Sequence, residues 1–301
     1  MKALLLILTA VCACLGASPA SAVINVLTCE PEWAALVKEL AGDRARTFSA
    51  TTAMQDPHRI EARPALLAQA RRADLLVCTG AELEIGWLPL LQRESGNPVI
   101  QEGRAGYFEA SRFVTMIEKP ATLNRAMGDV HAAGNPHIHL NPHNLLPVAD
   151  ALTRRLSELD PGNAADFAAR YLVFATRLRA AILKWEEAAR ELRGVRVVVH
   201  HKALSYLSSW LGLEVVADLE PKPGIDPSAS YLGQLLTQLK AEPAAMVLRV
   251  SYQSPRASDW IASKAGMKAV VLPYTVGGSE QASDLFALFE ETLAKLEAAA
   301  R

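Results

Sequence analysis

The sequence predicts an α/β fold of two lobes, each an open, mainly parallel sheet flanked by helices, with one long helix joining them. The first observation is that short β-branched and aliphatic runs alternate with amphipathic segments along the chain. The second is that runs such as Val197–Val199 are continuously apolar, which is typical of strands covered on both faces. The third is a helical segment that is longer than a crossover between two parallel strands requires.

Residues 1–22 have the pattern of an export signal. An apolar run follows Lys2, and small residues lead up to Ala22, which is the order found in secretory signal peptides. The apolar run is too short to span a bilayer. The residues before Cys14 fit a lipoprotein signal poorly. We therefore expect a periplasmic mature protein without a lipid anchor.

Two cysteines, Cys29 and Cys78, remain after removal of this signal. Cys29 closes the apolar run Val23–Leu27 and Cys78 closes Ala73–Val77, and each cysteine is expected at the C-terminal end of a buried strand, Val23–Thr28 and Ala73–Thr79. If these strands are neighbours in a parallel sheet, the thiols lie at the same edge and a disulfide can form in an oxidising compartment. The alternative is two buried free thiols.

The remaining elements divide the chain into lobes at residues 23–160 and 195–301. In the first lobe the amphipathic pattern predicts helices at Trp33–Leu40, Pro64–Arg72 and Leu145–Leu159. In the second lobe we predict strands at Val195–His200, Glu214–Asp218, Ala245–Val250 and Ala269–Pro273, and helices at Ala203–Leu211, Ser230–Ala241 and Arg256–Ala265.

The linking segment, residues 161–194, is predicted to be dominated by one helix over Ala164–Arg193. Asn163 can cap this helix, and Gly194 stands just past its end. Apolar side chains recur at steps of three and four along it, namely Phe167, Tyr171, Phe174, Leu178, Ile182, Trp185, Ala189 and Leu192. We expect this helix to act as a strut between the lobes.

Charge composition argues against nucleic acid as a partner. The chain has 31 Lys and Arg residues against 32 Asp and Glu residues, so it has no basic surplus to replace phosphate counterions.

The histidines carry the chemistry that the sequence suggests. His58, His137 and His201 each lie where a strand ends or a helix begins. In open α/β sheets, ligands bind at that edge, and imidazole is a common ligand of zinc. The chain contains no local zinc motif such as His-Glu-x-x-His, so the tertiary fold alone would have to gather these residues.

Several motifs resemble those of the substrate-binding proteins of zinc and manganese ABC transporters. In chain order they are Asp56-Pro57-His58, Ala73-Asp74-Leu75-Leu76-Val77, Asn135-Pro136-His137-Ile138-His139-Leu140-Asn141-Pro142 and His201-Lys202-Ala203-Leu204. The resemblance implies a monomer that holds a metal ion between its lobes and delivers it to a membrane permease. It places the family's metal-binding histidines at His58, His137 and His201, whereas His131, His139 and His143 are expected to be accessory or surface groups.

The fourth ligand is where the sequence departs from this family. Many relatives place a carboxylate directly after the last strand, where this chain has Pro273-Tyr274-Thr275. We expect Asp284 to supply the ligand by way of the flexible Gly277-Gly278 loop, with Glu280 or a water molecule as alternatives.

The ligand types favour Zn²⁺ over Mn²⁺, because manganese prefers more oxygen ligands than three imidazoles and one carboxylate provide. Two other functions remain possible from the sequence. An open zinc site would suit an exported hydrolase, although no dedicated general base is evident. A metal-independent adhesin could have kept the fold alone.

Overall fold

The computed structural model of the chain describes residues 23–122 and 128–301, so the expected export signal lies outside the described residues. The first sheet contains β1 (Ile24–Thr28), β2 (Ala45–Ser49), β3 (Leu75–Cys78) and β4 (Tyr107–Glu109). Its helices are α1 (Pro31–Ala41), α2 (Pro64–Arg72), α3 (Leu88–Ser95) and α4 (Pro142–Leu159). The long helix α5 (Ala164–Ala188) follows.

The second sheet contains β5 (Arg196–Val199), β6 (Glu214–Asp218), β7 (Met246–Val250) and β8 (Lys268–Leu272). Its helices are α6 (Ser205–Leu211), α7 (Ala229–Ala241), α8 (Pro255–Ala265) and α9 (Leu285–Ala300). The strand orders are β2-β1-β3-β4 and β6-β5-β7-β8, and every pairing is parallel. The predicted fold class, two parallel α/β sheets separated by a long helix, is confirmed.

The sequence did not reveal β2, β4 and α3. Strand β2 lies at the sheet edge and has no fully buried residue, so it lacks the continuous apolar run that marks β1 and β3. Strand β4 has only three residues. Helix α3 is a short segment that begins at Leu88-Pro89, and its two turns give little periodicity.

Helix α5 differs in detail from the helix predicted over Ala164–Arg193. Its regular part ends at Ala188, and a 3₁₀ turn over Ala189–Leu192 completes it. Asn163 precedes the helix, but its side-chain amide donates to Asp160 at 2.6 Å instead of capping a backbone N–H. The predicted apolar stripe is buried except for Tyr171, which is partly buried.

Both lobes share one apolar core around α5. This cluster contains Trp33 of α1, Phe174 of α5, Val197 of β5 and Phe289 of α9, all of them buried. Because the same side chains pack against both sheets, the two lobes are joined by a continuous core as well as by the chain. Among the described helices, none is both long and apolar enough to cross a membrane.

The predicted disulfide between Cys29 and Cys78 is confirmed, with a Cα–Cα distance of 4.8 Å. Strands β1 and β3 are adjacent and parallel, with Thr28 opposite Val77. The next residue of each strand is therefore a cysteine at the same sheet edge, which is the arrangement that the two apolar runs suggested.

Two carboxyl groups, those of Glu30 and Glu84, are buried at this same edge. Thr79 joins them, because its hydroxyl donates to Glu30 Oε2 at 3.0 Å and its backbone N–H donates to Glu84 Oε1 at 2.8 Å. Trp33 Nε1 donates to the Thr79 hydroxyl at 2.8 Å. Burial raises the pKa of Glu84 to about 7 and the pKa of Glu30 well above its usual value. At pH values between 4.5 and about 7, the folded protein therefore keeps a proton on Glu84 that the unfolded chain releases.

This pKa shift predicts a pH-dependent contribution to stability. The pKa of Glu84 is raised from 4.5 in the unfolded chain to about 7 in the folded protein. The contribution of the protonated Glu84 to the unfolding free energy is therefore fully present below pH 4.5 and is lost as the pH rises through about 7. We expect the difference in unfolding free energy between the wild type and Glu84→Gln to decline over that range in metal-free protein. Urea denaturation at a series of pH values measures it.

The matched control is Glu61→Gln, since the Glu61 side chain is 81% exposed. The difference in unfolding free energy between Glu61→Gln and the wild type should not change with pH. A flat difference for Glu84→Gln as well would contradict the assigned pKa.

Candidate metal centre

The structure brings His58, His137 and His201 together. His58 lies in the loop between β2 and α2, where Trp87 Nε1 donates to the carbonyl of Pro57 at 2.8 Å and fixes the backbone. His137 precedes the 3₁₀ turn Ile138–Leu140 that leads to α4, and His201 follows β5. One ring nitrogen from each histidine lies within 4.8 Å of the other two.

Each of these histidines is oriented by a hydrogen bond at Nδ1. The partners are Asp56 Oδ1 for His58 at 2.8 Å, Tyr274 Oη for His137 at 2.8 Å and Glu220 Oε2 for His201 at 2.7 Å. When Nδ1 is engaged in this way, Nε2 is the nitrogen that remains for a metal ion. The three Nε2 atoms are therefore the candidate ligands.

The two carboxylates behind the site are ionised at neutral pH. Burial alone would raise the pKa of Asp56, but the hydrogen bond and charge of His58 outweigh it and the pKa is lowered. The same balance, with His201 as the partner, lowers the pKa of Glu220. An ionised carboxylate can only accept, so Nδ1 of His58 and Nδ1 of His201 are the donors in these two hydrogen bonds, and Nε2 is the nitrogen left to bind a metal ion.

His137 completes a set of donors that suits a cation. Burial, followed by the neighbouring histidines, lowers its pKa well below the usual value, so its ring is neutral. Nε2 of His58 and Nε2 of His137 are buried and have no hydrogen-bond partner among the described residues. Buried polar atoms are normally paired. The converging histidine nitrogens therefore fit a divalent metal ion.

The structure does not bring Asp284 to these histidines, contrary to the sequence-based expectation. Asp284 is exposed at the start of α9, where its carboxylate accepts from the backbone N–H groups of Phe286 and Ala287 at 2.8 and 2.9 Å. Its neighbours line a separate surface pocket that includes Lys38 and Arg170. The physical reason is that this carboxylate caps the helix, where two backbone donors fix it. Glu280 is also exposed.

Of the other histidines, His131 lies beside His58. Its ring stacks on the ring of His58 with 5.4 Å between centroids and 29° between planes. Burial, followed by the neighbouring histidines, lowers its pKa to about 4. His143 is a surface residue whose Nε2 pairs with Glu186 at 2.7 Å. His200 is buried, with Nε2 at 3.7 Å from Glu220 Oε1.

A buried polar network connects the lobes directly behind His137. Tyr274, which follows β8, accepts at its carbonyl from His139 Nε2 at 2.9 Å, while its hydroxyl meets His137. The hydroxyl of Thr275 donates to Glu32 Oε2 at 2.5 Å, and His139 Nδ1 lies 3.1 Å from Glu32 Oε1. Tyr274 and Thr275, which follow β8, thus tie the second lobe to the first.

The loop at residues 128–135 contacts both lobes beside the histidines. The backbone N–H of Asp129 donates to the carbonyl of Pro223 at 2.9 Å, and that of Ala132 donates to Glu82 Oε2 at 2.6 Å. Gly128 has φ +82°, and a Cβ on it would lie 2.2 Å from the Pro223 carbonyl oxygen. Only glycine permits this close approach.

The sequence did not assign an orienting role to the groups that hold the histidines. Asp56 could have been found, because it stands two residues before His58 within the Asp56-Pro57-His58 motif. The sequence gives no sign that Tyr274 orients a histidine, because that position stands out only by lacking an acidic residue. Glu220 carries no local signal, because the fold alone places it beside His201.

The chain matches the family described as zinc-uptake complex component A, periplasmic (ZnuA), over residues 26–299. It is 25% identical over 275 residues to the high-affinity zinc uptake system protein ZnuA of Paracoccus denitrificans, covering 80% of each chain. It is 28% identical over 160 residues to the manganese ABC transporter substrate-binding lipoprotein scaA of Streptococcus gordonii, covering 53% of this chain and about half, 49%, of that relative.

The fold is shared with solved structures. A crystal structure of ZnuA superposes with a TM-score of 0.74 at 23% identity, covering 91% of this chain and 99% of that chain. A Mn-bound periplasmic metal-binding protein from Candidatus Liberibacter asiaticus gives 0.73 at 17% identity, covering 92% and 99%.

These observations define a class of protein, namely a two-lobed, metal-binding substrate-binding protein of an ABC transporter. Within that class, the chain belongs to the periplasmic zinc-uptake component A family. Its relatives are transport proteins and not enzymes, which argues against the hydrolase alternative.

The network behind His137 predicts a stability effect at Thr275. Thr275→Val removes the donor to the fully buried Glu32 and leaves a carboxylate oxygen unpaired, which should cost about 1–3 kcal/mol of unfolding free energy. Urea denaturation of metal-free protein measures this loss. The control is Thr237→Val, at an exposed helical position, where a change within about 0.5 kcal/mol is expected. Equal effects at both positions would show that the Glu32 contact contributes nothing.

Proposed function

We propose that the protein captures Zn²⁺ between its lobes through Nε2 of His58, His137 and His201 and delivers it to the permease of an ABC transporter in the periplasm. The observation that carries the proposal is the convergence of these ring nitrogens within 4.8 Å while each Nδ1 is held by a partner. Such partners fix the tautomer and orientation of metal-binding histidines. All three histidines come from one chain, so the proposal requires only a monomer.

The donor set supports zinc over manganese. The converging group consists of nitrogen donors alone, and imidazole suits zinc whereas manganese favours carboxylate and water oxygens. The curated relatives include both zinc and manganese proteins. The chemistry of the residues therefore carries the choice of metal, and family membership alone does not.

Water completes the coordination in this proposal. Asp284 and Glu280 lie elsewhere. His131 stacks on His58 and is not one of the converging histidines. The negative charge that a buried dication needs comes from Asp56 and Glu220, each one hydrogen bond behind a ligand.

The ligand assignment predicts three similar losses. His58→Ala, His137→Ala and His201→Ala should each weaken zinc binding at least tenfold, or about 1.4 kcal/mol, because each removes one metal–nitrogen bond. Competition with a chromophoric chelator measures the affinity. His143→Ala is the control, since His143 pairs with Glu186 at the surface. An undiminished affinity in any of the three variants would remove that residue from the site.

The proposed charge balance predicts that zinc affinity depends more on Glu220, which hydrogen-bonds to the ligand His201, than on Asp284. Glu220→Gln preserves shape but removes the charge behind His201, and loss of such a partner typically costs 10–100-fold in metal affinity. Asp284→Asn should leave zinc affinity within about threefold, since that carboxylate caps a helix. The same chelator competition compares the two acid-to-amide changes. The opposite ranking would make Asp284 the metal-bound acid.

A further inference from the structure

We propose that reduction of the Cys29–Cys78 disulfide creates a second metal site, formed by the two thiolates and the carboxylate of Glu84. The sulfur atoms and one Glu84 oxygen lie within 4.8 Å of one another. Cys29 and Cys78 are 0% exposed and Glu84 is 2% exposed. None of these residues belongs to the histidine site, so the inference does not depend on the proposed zinc capture.

The backbone holds these donors in place independently of the disulfide bond. The N–H of Cys29 donates to the carbonyl of Val77 at 2.8 Å, which continues the β1–β3 pairing to the cysteines. The carboxylate of Glu84 accepts from the backbone N–H groups of Thr79 at 2.8 Å and Gly80 at 3.1 Å. Sheet register and turn therefore keep two sulfurs and an oxygen adjacent after reduction.

Glu30 offers a further donor at the same place. It directly follows Cys29, and its Oε2 accepts from the Thr79 hydroxyl at 3.0 Å. The carboxyl groups of Glu30 and Glu84 also hydrogen-bond to each other, so both lie beside the sulfurs. Two sulfurs and two carboxylate groups can supply the four ligands that a tetrahedral site requires.

The chemistry balances with a dithiol as the reductant. The dithiol gives two electrons and two protons, the S–S bond breaks, two cysteine thiols form, and the dithiol becomes a cyclic disulfide. A divalent cation then displaces the two thiol protons and forms two metal–sulfur bonds. Thiolate ligands select zinc, cadmium or cobalt over magnesium and manganese. In the oxidised protein both sulfurs are bonded to each other, so this site exists only after reduction.

Cobalt(II) titration with and without a phosphine reductant tests the proposal, because thiolate–cobalt bonds give a near-ultraviolet charge-transfer band that imidazole ligands do not. We expect reduced protein to bind one more equivalent of Co²⁺ than oxidised protein and to show this band. Carrying out the titration in His137→Ala as well separates the two sites, since the band should persist when the histidine site fails.

Variants identify the donors. Cys78→Ser should abolish the band, and Glu84→Gln should weaken the additional binding at least tenfold, whereas Glu61→Gln, at an exposed position, should leave it unchanged. Wild-type binding in Glu84→Gln would overturn the assignment of that carboxylate.

Reduction must be verified, because the cysteines are buried. Thiol titration after denaturation counts the reduced cysteines, and a chain that resists native reduction is reduced while unfolded and refolded with Co²⁺. A reduced chain that folds only in the presence of metal supports the site. A reduced, folded chain without the band overturns it, and so does a reduced chain that stays unfolded with metal present.

Discussion

The hydrogen bond at Nδ1 of His58, His137 and His201 is the interaction on which the candidate metal centre depends. A neutral imidazole has one lone pair, and the position of its proton decides which nitrogen carries it. Asp56 and Glu220 hold that proton on Nδ1 of His58 and His201, and Tyr274 engages Nδ1 of His137. Without these partners the three neighbouring rings could rotate or exchange tautomers. With them, one nitrogen of each ring is held within 4.8 Å of the other two without any bound metal.

This preorganisation requires the lobes to keep a fixed relationship. His137 belongs to the first lobe, whereas Tyr274, which orients it, follows the last strand of the second. Thr275 adds a bond from the second lobe to Glu32 of the first. Behind these contacts, the apolar core around α5 packs against both sheets. Close packing of that kind resists deformation, so the long helix and its core hold ligands from different lobes at a constant separation.

The sequence predicts those parts of the molecule that local patterns determine. Continuous apolar runs located β3 and β5, because a strand covered on both faces has no polar residue to interrupt it. The edge strand β2 was not predicted, because its partly exposed residues form no continuous apolar run. The same contrast holds in the site. His58, His137 and His201 stand in loops that leave a strand or enter a helix, where open α/β folds bind their ligands. The role of Asp284 could not be read from its neighbours, because an acid before a helix suits both capping and metal binding.

The location of the negative charge has consequences for selectivity. An acid bound directly to the metal would add an oxygen ligand and make the site more suitable for manganese. Here the carboxylates of Asp56 and Glu220 lie one imidazole away from the converging nitrogens. They still offset the charge of a dication, because electrostatic attraction acts beyond the ligand atoms, and they also make the imidazoles stronger donors. The arrangement therefore combines a nitrogen-only donor set with charge compensation. Tyr274 orients His137 through its hydroxyl, so in the proposed zinc site it supports a nitrogen ligand and adds no carboxylate oxygen.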